Sequence, residues 1–167
     1  MITRSGREEP RAWALVPLRL MLGLGFALHG LAKLNRGPER FAEILRALAI
    51  PHPGMTAWAT TLLELGGGLA LMLGFAVIPV SVPLGVVMLT ALVKVHLPLG
   101  FSGVRLLAVT SRGAEFGPVG YELNLLYLVG LLALALGGRS PWSVDRWLRV
   151  RRRAAQPAQA AETSTTR

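Results

Sequence analysis

Four long apolar runs, at about 13–34, 55–78, 80–97 and 120–136, constrain this chain more than any other feature. A bilayer's hydrocarbon core, about 30 Å thick, is crossed by about 20 apolar residues of helix. A segment that crosses it must satisfy its own backbone hydrogen bonds, which a helix does. The runs therefore predict an all-α fold, a four-transmembrane-helix bundle. Hydrophobic residues make up 52% of the 167-residue chain, with a mean hydropathy of +0.49, above the soluble norm. Residues 1–153 read as a single domain.

Between the first two runs, Phe41, Ile44, Leu45 and Leu48 recur at i, i+3, i+4 and i+7, opposite Glu39, Arg40, Glu43 and Arg46. Pro38 suits a first helical position and Pro51 and Pro53 a stop, so a short amphipathic helix is expected there, on the membrane surface or capping the bundle. Pro79 to Pro83 reads as the tight turn between the second and third spans. The connector from Gly100 to Val119 is too apolar for a solvated loop and is expected to fold back onto the bundle's mouth. Ser140 and Pro141 read as the cap and first turn of a C-terminal interfacial helix carrying Trp142, Trp147 and a run of arginines. The Ala, Gln, Ser and Thr-rich stretch 154–167 reads as a disordered tail.

The runs are interrupted by charges that a bilayer core disfavours. His29 and Lys33 lie four apart on one helical face near the end of the first run. Glu64 falls about nine residues into the second, roughly 13 Å deep at 1.5 Å per residue. Lys94 and His96 close the third, two apart and so not on one helical face. Glu122 opens the fourth, followed by Asn124. Arg19, near the start of the first run, is expected to snorkel to the near interface, and Pro17 to fall in that helix's first turn.

Of the 18 basic residues, ten lie in the two tails, five in the two long connectors and three inside spans. The positive-inside rule then places both termini in the cytoplasm, consistent with an even number of spans. In that orientation His29, Lys33, Glu64, Lys94, His96 and Glu122 all sit in the outer half of the membrane, and an outward-opening polar pocket is the physical expectation. A helix ending in His (His29, His96) followed by one beginning with Glu (Glu64, Glu122) gives a faint internal echo. Three roles remain open for these residues: a ligand or substrate pocket, a metal site, or an ion-pair network that fixes helix register. No pair has metal-ligand spacing on one helix, so no metal is assigned.

Cysteine is absent, which excludes thiol chemistry and thiolate ligands. The net charge of +9 is explained by membrane topology, and no nucleic-acid partner is expected, since no recognition module accompanies it. Gly66, Gly67 and Gly68 read as close helix packing rather than a phosphate loop.

With these residues in place the chain resembles the DoxX family, small membrane proteins of bacteria and archaea related to the DoxD-like group. The likeness rests on Arg19 to Lys33, on Glu64-Leu65-Gly66-Gly67-Gly68 with Gly74, on His96-Leu97-Pro98 with Gly100-Phe101, and on Gly120-Tyr121-Glu122-Leu123-Asn124. The resemblance implies a four-helix integral protein of the bacterial or archaeal cytoplasmic (inner) membrane. It also implies an association with quinone-linked oxidation, as a membrane subunit or accessory of an oxidoreductase complex, with quinone as a possible cofactor. The partners it implies are membrane lipid, other oxidoreductase subunits and soluble redox enzymes. The alternatives are a small-solute or lipid carrier, and an anchor with no ligand of its own.

Overall fold

The computed structural model describes residues 8–137 and 141–151. In chain order it runs α1 (Glu8–Arg36), α2 (Pro38–Ala47), α3 (Pro53–Leu73) and α4 (Val77–Ala91), then a π turn (Leu92–His96) and a 3-10 turn (Leu97–Leu99). A hairpin of β1 (Leu106–Thr110) and β2 (Gly113–Phe116), helix α5 (Glu122–Leu136) and a final helix α6 (144–151) follow. Three helical stretches are long and apolar enough to cross a membrane: Trp13–Arg36, Pro53–Leu73 and Val77–Leu99. Helix α5 is apolar but shorter, at 15 residues.

Helices α1, α3, α4 and α5 close a ring: α1 touches α3 and α5, and α4 touches α3 and α5. Leu22, Phe26, Leu71, Leu84, Leu131 and Leu134 form the shared core. Large apolar side chains such as Met21, Leu28, Val82, Leu126 and Val129 point outward, while Arg19, Thr61, Glu64, Ser81 and Asn124 are buried. Apolar outside and polar inside is the distribution that lipid as solvent selects. The hydroxyls of Thr61 and Ser81 donate to carbonyls four residues back, which satisfies them within their own helices.

The closest helix pair is α1 with α3, and glycine makes it possible. A Cβ on Gly30 would meet the Leu65 backbone, one on Gly68 the Ala27 amide, and one on Gly23 the Met72 amide and Gly68 carbonyl. Steps of three and four down α1 thus match steps of three and four up α3, an antiparallel pair in backbone contact. Gly67 packs against Val80 and Leu84 of α4, whereas Gly66 faces open space. Two glycines of the triplet carry the packing and one does not.

Several expected boundaries move. Helix α1 begins at Glu8, so Pro17 is interior and not in the first turn. The α3–α4 turn is only Gly74 to Ala76: Gly74 takes a left-handed φ of 65°, and the Phe75 amide closes on the Ala70 carbonyl at 2.9 Å. Pro79 and Pro83 therefore lie within α4, Pro79 in its first turn, where the lost N–H had no helical partner. The chain is mostly helical, as expected, but the 100–119 connector holds a β-hairpin that the sequence did not suggest. Thr110 and Gly113, with φ 123° at the glycine, close the tight turn that sets its register. The hairpin strands are exposed and do not fold back onto the bundle.

Arg19 does not snorkel. It is 3% exposed and donates from Nη2 to the Trp142 carbonyl at 3.1 Å. The C-terminal helix starts at 144, later than expected, with Ser143 as its cap: the hydroxyl accepts the Arg146 amide at 3.3 Å. Asp145 fastens it to the α3–α4 turn, since its side chain accepts the Ala76 amide and its own amide donates to the Gly74 carbonyl. Ser140, the cap expected from sequence, and the 154–167 tail lie outside the described residues.

Candidate functional site

A cavity of about 520 Å³ lies at the end of the bundle marked by His29. Helices α1 and α3 each present one periodic face to it. From α1 come Phe26, His29 and Lys33, at i, i+3 and i+7; from α3 come Thr56, Thr60 and Glu64, at i, i+4 and i+8. Helix α2 and its C-cap Leu48 supply Phe41, Ile44, Leu45 and Leu48, the same apolar stripe that marks the segment as amphipathic in the sequence. It is a wall of the cavity, held against α3 and α1. Helix α4 faces it with Val86, Val87, Met88, Thr90 and Ala91, and α5 contributes Leu123, Asn124 and Tyr127.

The Lys33 ammonium and a Glu64 carboxylate oxygen form an ion pair 2.5 Å apart, with side chains 23% and 5% exposed. The same ammonium lies 4.4 Å from the Phe41 ring centroid, so one cation joins α1, α2 and α3. Glu64 is thereby neutralised in place, as a buried carboxylate requires.

Lys94 and His96 both line the cavity, although residues two apart on a regular α-helix do not share a face. The π turn over Leu92–His96 and the 3-10 turn after it change the helical phase at this point. His96 Nδ1 is 2.9 Å from the Val119 carbonyl. A carbonyl only accepts, so Nδ1 carries the proton and Nε2 is left for other partners. Lys94 has no ion pair or hydrogen bond among the described residues.

Glu122 is not part of this constellation. Its carboxylate accepts the Gly103 amide at 2.7 Å, and the amides of Gly120, Tyr121 and Glu122 donate to the carbonyls of Ser102, Gly100 and Phe101. The start of α5 is thus tied to the loop before the hairpin. The echo between Glu64 and Glu122 has no chemical counterpart: one pairs a lysine, the other caps a loop.

Two residues outside the sequence-derived set, Asn124 and Tyr127, line the cavity from α5 where Glu122 does not. Asn124 is 4% exposed, lines the cavity, and its amide has no hydrogen-bond partner among the described residues. Tyr127, three residues on, shares that face and stacks edge-on with Phe26, centroids 5.1 Å apart. Gly25 makes room for its phenol, since a Cβ there would strike the hydroxyl. Polar residues at i and i+3 in an apolar run were the available signal.

The site is therefore a mostly apolar chamber with a few convergent polar groups, within the roughly 300–1,000 Å³ of small-molecule sites. It offers cationic donors (Lys33, Lys94), two imidazoles, one ion-paired carboxylate and one amide. No group of three or more His, Cys, Asp or Glu side chains with metal-binding geometry occurs among the described residues.

The sequence profile of the DoxX family matches residues 14–97. The matched stretch holds His29, Lys33, Glu64, Lys94 and His96, and stops short of Glu122, Asn124 and Tyr127. No curated protein and no solved structure gives a significant match to the chain.

Proposed function

Because the chain belongs to the DoxX family of integral membrane proteins, we propose that it is a four-span membrane subunit whose cavity binds a small ligand for a quinone-linked oxidoreductase system. Helix α5 is the fourth crossing in this reading. Its 15 residues rise about 22 Å, less than a typical hydrocarbon core, a mismatch that local bilayer thinning accommodates. Four crossings put both termini on the cytoplasmic side and the cavity toward the outside, in agreement with the charge distribution.

The observation that carries the ligand reading is Asn124: its side-chain amide makes no protein hydrogen bond among the described residues and keeps accessible surface in a chamber that also holds an ion pair and a lysine without one. An amide that reaches the chamber with no protein partner offers both a donor and an acceptor to a bound oxygen or nitrogen. Asn124 or His29 would hydrogen-bond a quinone-type carbonyl, and Glu64 with Lys33 would hold or exchange the proton. Redox work needs a partner or a bound molecule, because the chain has no cysteine.

The reading is tested by solvent extraction of the purified protein and by titration with a short-chain benzoquinone. Bound quinone, or saturable binding weakened at least tenfold in Asn124→Leu, supports it. No quinone and no saturable binding overturn the quinone assignment. A lipid carrier is the second reading, favoured by the exposure of cavity-lining residues on α2 and α4 to the bilayer side.

A further inference from the structure

The cavity is open along one side. Ile44 on α2 and Val86 on α4 both line it, yet are 55% and 60% exposed, and Thr90 is exposed beside Val86. Helix α2 rests on α3 and α1 while α4 rests on α3 and α5, and both line the chamber without packing substantially on each other. Val86 is nine residues from the start of α4, roughly 14 Å along the axis, which is mid-bilayer depth. The opening therefore faces hydrocarbon. From Val86 to His96 the lining runs roughly 15 Å, apolar at the first end and polar at the second.

We infer that the ligand is an amphiphile: a compact head with oxygen acceptors, held by Asn124, Lys94 and the Lys33–Glu64 pair, on an apolar chain that leaves through the α2–α4 cleft into the bilayer. The polarity gradient along the chamber fixes the direction, since the unpartnered donors all stand at the His96 end. A fully water-soluble ligand would leave the Val86 end unmatched, and a bare hydrocarbon would leave the Asn124 amide unpaired. The route is lateral, so the ligand is taken from the membrane and not from water. The inference rests on the reading of the cavity as a ligand site.

The test uses the full chain in lipid nanodiscs, with protein-free nanodiscs correcting for partitioning. Two probe pairs are compared, decyl-benzoquinone with benzoquinone and decanoate with acetate, against wild type, Val86→Trp in the cleft, Val82→Trp on the adjacent exposed surface, and Thr60→Trp in the chamber. At least one chain-bearing probe is expected to bind at least tenfold more tightly than its chainless parent. That preference should fall below about threefold in Val86→Trp and persist in Val82→Trp. The head that shows it distinguishes a carbonyl from an acid. Equal binding within both pairs, or a preference untouched by Val86→Trp, overturns the inference. If the chain preference is absent but a chainless probe binds wild type and not Thr60→Trp, the cavity remains a ligand site and only the amphiphile reading falls. If no probe distinguishes wild type from Thr60→Trp, both readings fall.

Discussion

The Lys33 ammonium stands 2.5 Å from a Glu64 carboxylate oxygen, so two charges that the sequence places on different spans form one pair across the α1–α3 interface. Neither charge is tolerable alone in apolar surroundings. Glu64→Gln leaves Lys33 without its counter-ion and should cost about 2 kcal/mol, below the full buried-pair value because the lysine side chain is 23% exposed. Lys33→Met should cost a similar amount, and the double variant less than the two together. Thermal unfolding in detergent across the four proteins measures the coupling; strict additivity would mean that the pair does not interact.

The α1–α3 contact makes a sharper claim about glycine. Gly68→Ala drives a methyl into the Ala27 amide, and Gly30→Ala drives one into the Leu65 backbone, so each should lower the unfolding temperature clearly. Gly66→Ala meets nothing within 4 Å and should be neutral or stabilise by up to about 1 kcal/mol. The same three variants losing stability equally would contradict the packing described here.

Glu122 and Glu64 look equivalent in sequence and should behave differently. Glu122→Ala removes the acceptor of the Gly103 amide and should loosen the 100–103 loop, seen as faster amide exchange there. Ligand binding in the cavity should change less than in Glu64→Gln. A larger binding loss in Glu122→Ala would return Glu122 to the site.

Sequence alone delivered the apolar helices and the amphipathic α2, and it singled out His29, Lys33, Glu64, Lys94 and His96, which line one cavity. These are legible because helical period and the cost of burying charge are both local properties of a run. What was not legible depends on departures from the ideal helix. Lys94 and His96 share the chamber only through a π turn, and nothing in Leu92-Val93-Lys94-Val95-His96 announces one. Glu122 was expected in the pocket as a charge at the start of the fourth run, yet its carboxylate accepts the Gly103 amide while Asn124 lines the chamber. The burial of Arg19 needed the tertiary contact with Trp142, 123 residues away. Snorkelling is the right default for a lone arginine near an interface, and a carbonyl within reach overrides it.

Asp145 ties α6 to the α3–α4 turn with bonds to Ala76 and Gly74. Asp145→Ala should release the helix and speed tryptic cleavage at Arg146 and Arg149, while Asp145→Asn, which keeps the acceptor oxygen, should protect. Equal cleavage of all three proteins would show that the Arg19 and Ser143 contacts hold the helix without Asp145.

Topology is open to direct test because the native chain has no cysteine to remove. Ser111→Cys, in the hairpin turn, should react with a membrane-impermeant maleimide on intact cells. Val150→Cys, on α6, should react only after permeabilisation. Labelling of both before permeabilisation would rule out the four-span arrangement.

The central claim is that the chamber beside Asn124 and the Lys33–Glu64 pair is a ligand site, and native mass spectrometry of the purified protein tests it most directly. Wild type, Asn124→Leu, Thr60→Trp and Glu122→Ala would be released from detergent under the same conditions. The account predicts one bound mass on wild type and Glu122→Ala, lost in Asn124→Leu and Thr60→Trp. The same mass on all four, or none on a wild-type protein supplied with membrane extract, would contradict it and leave the polar cluster a device for fixing helix register.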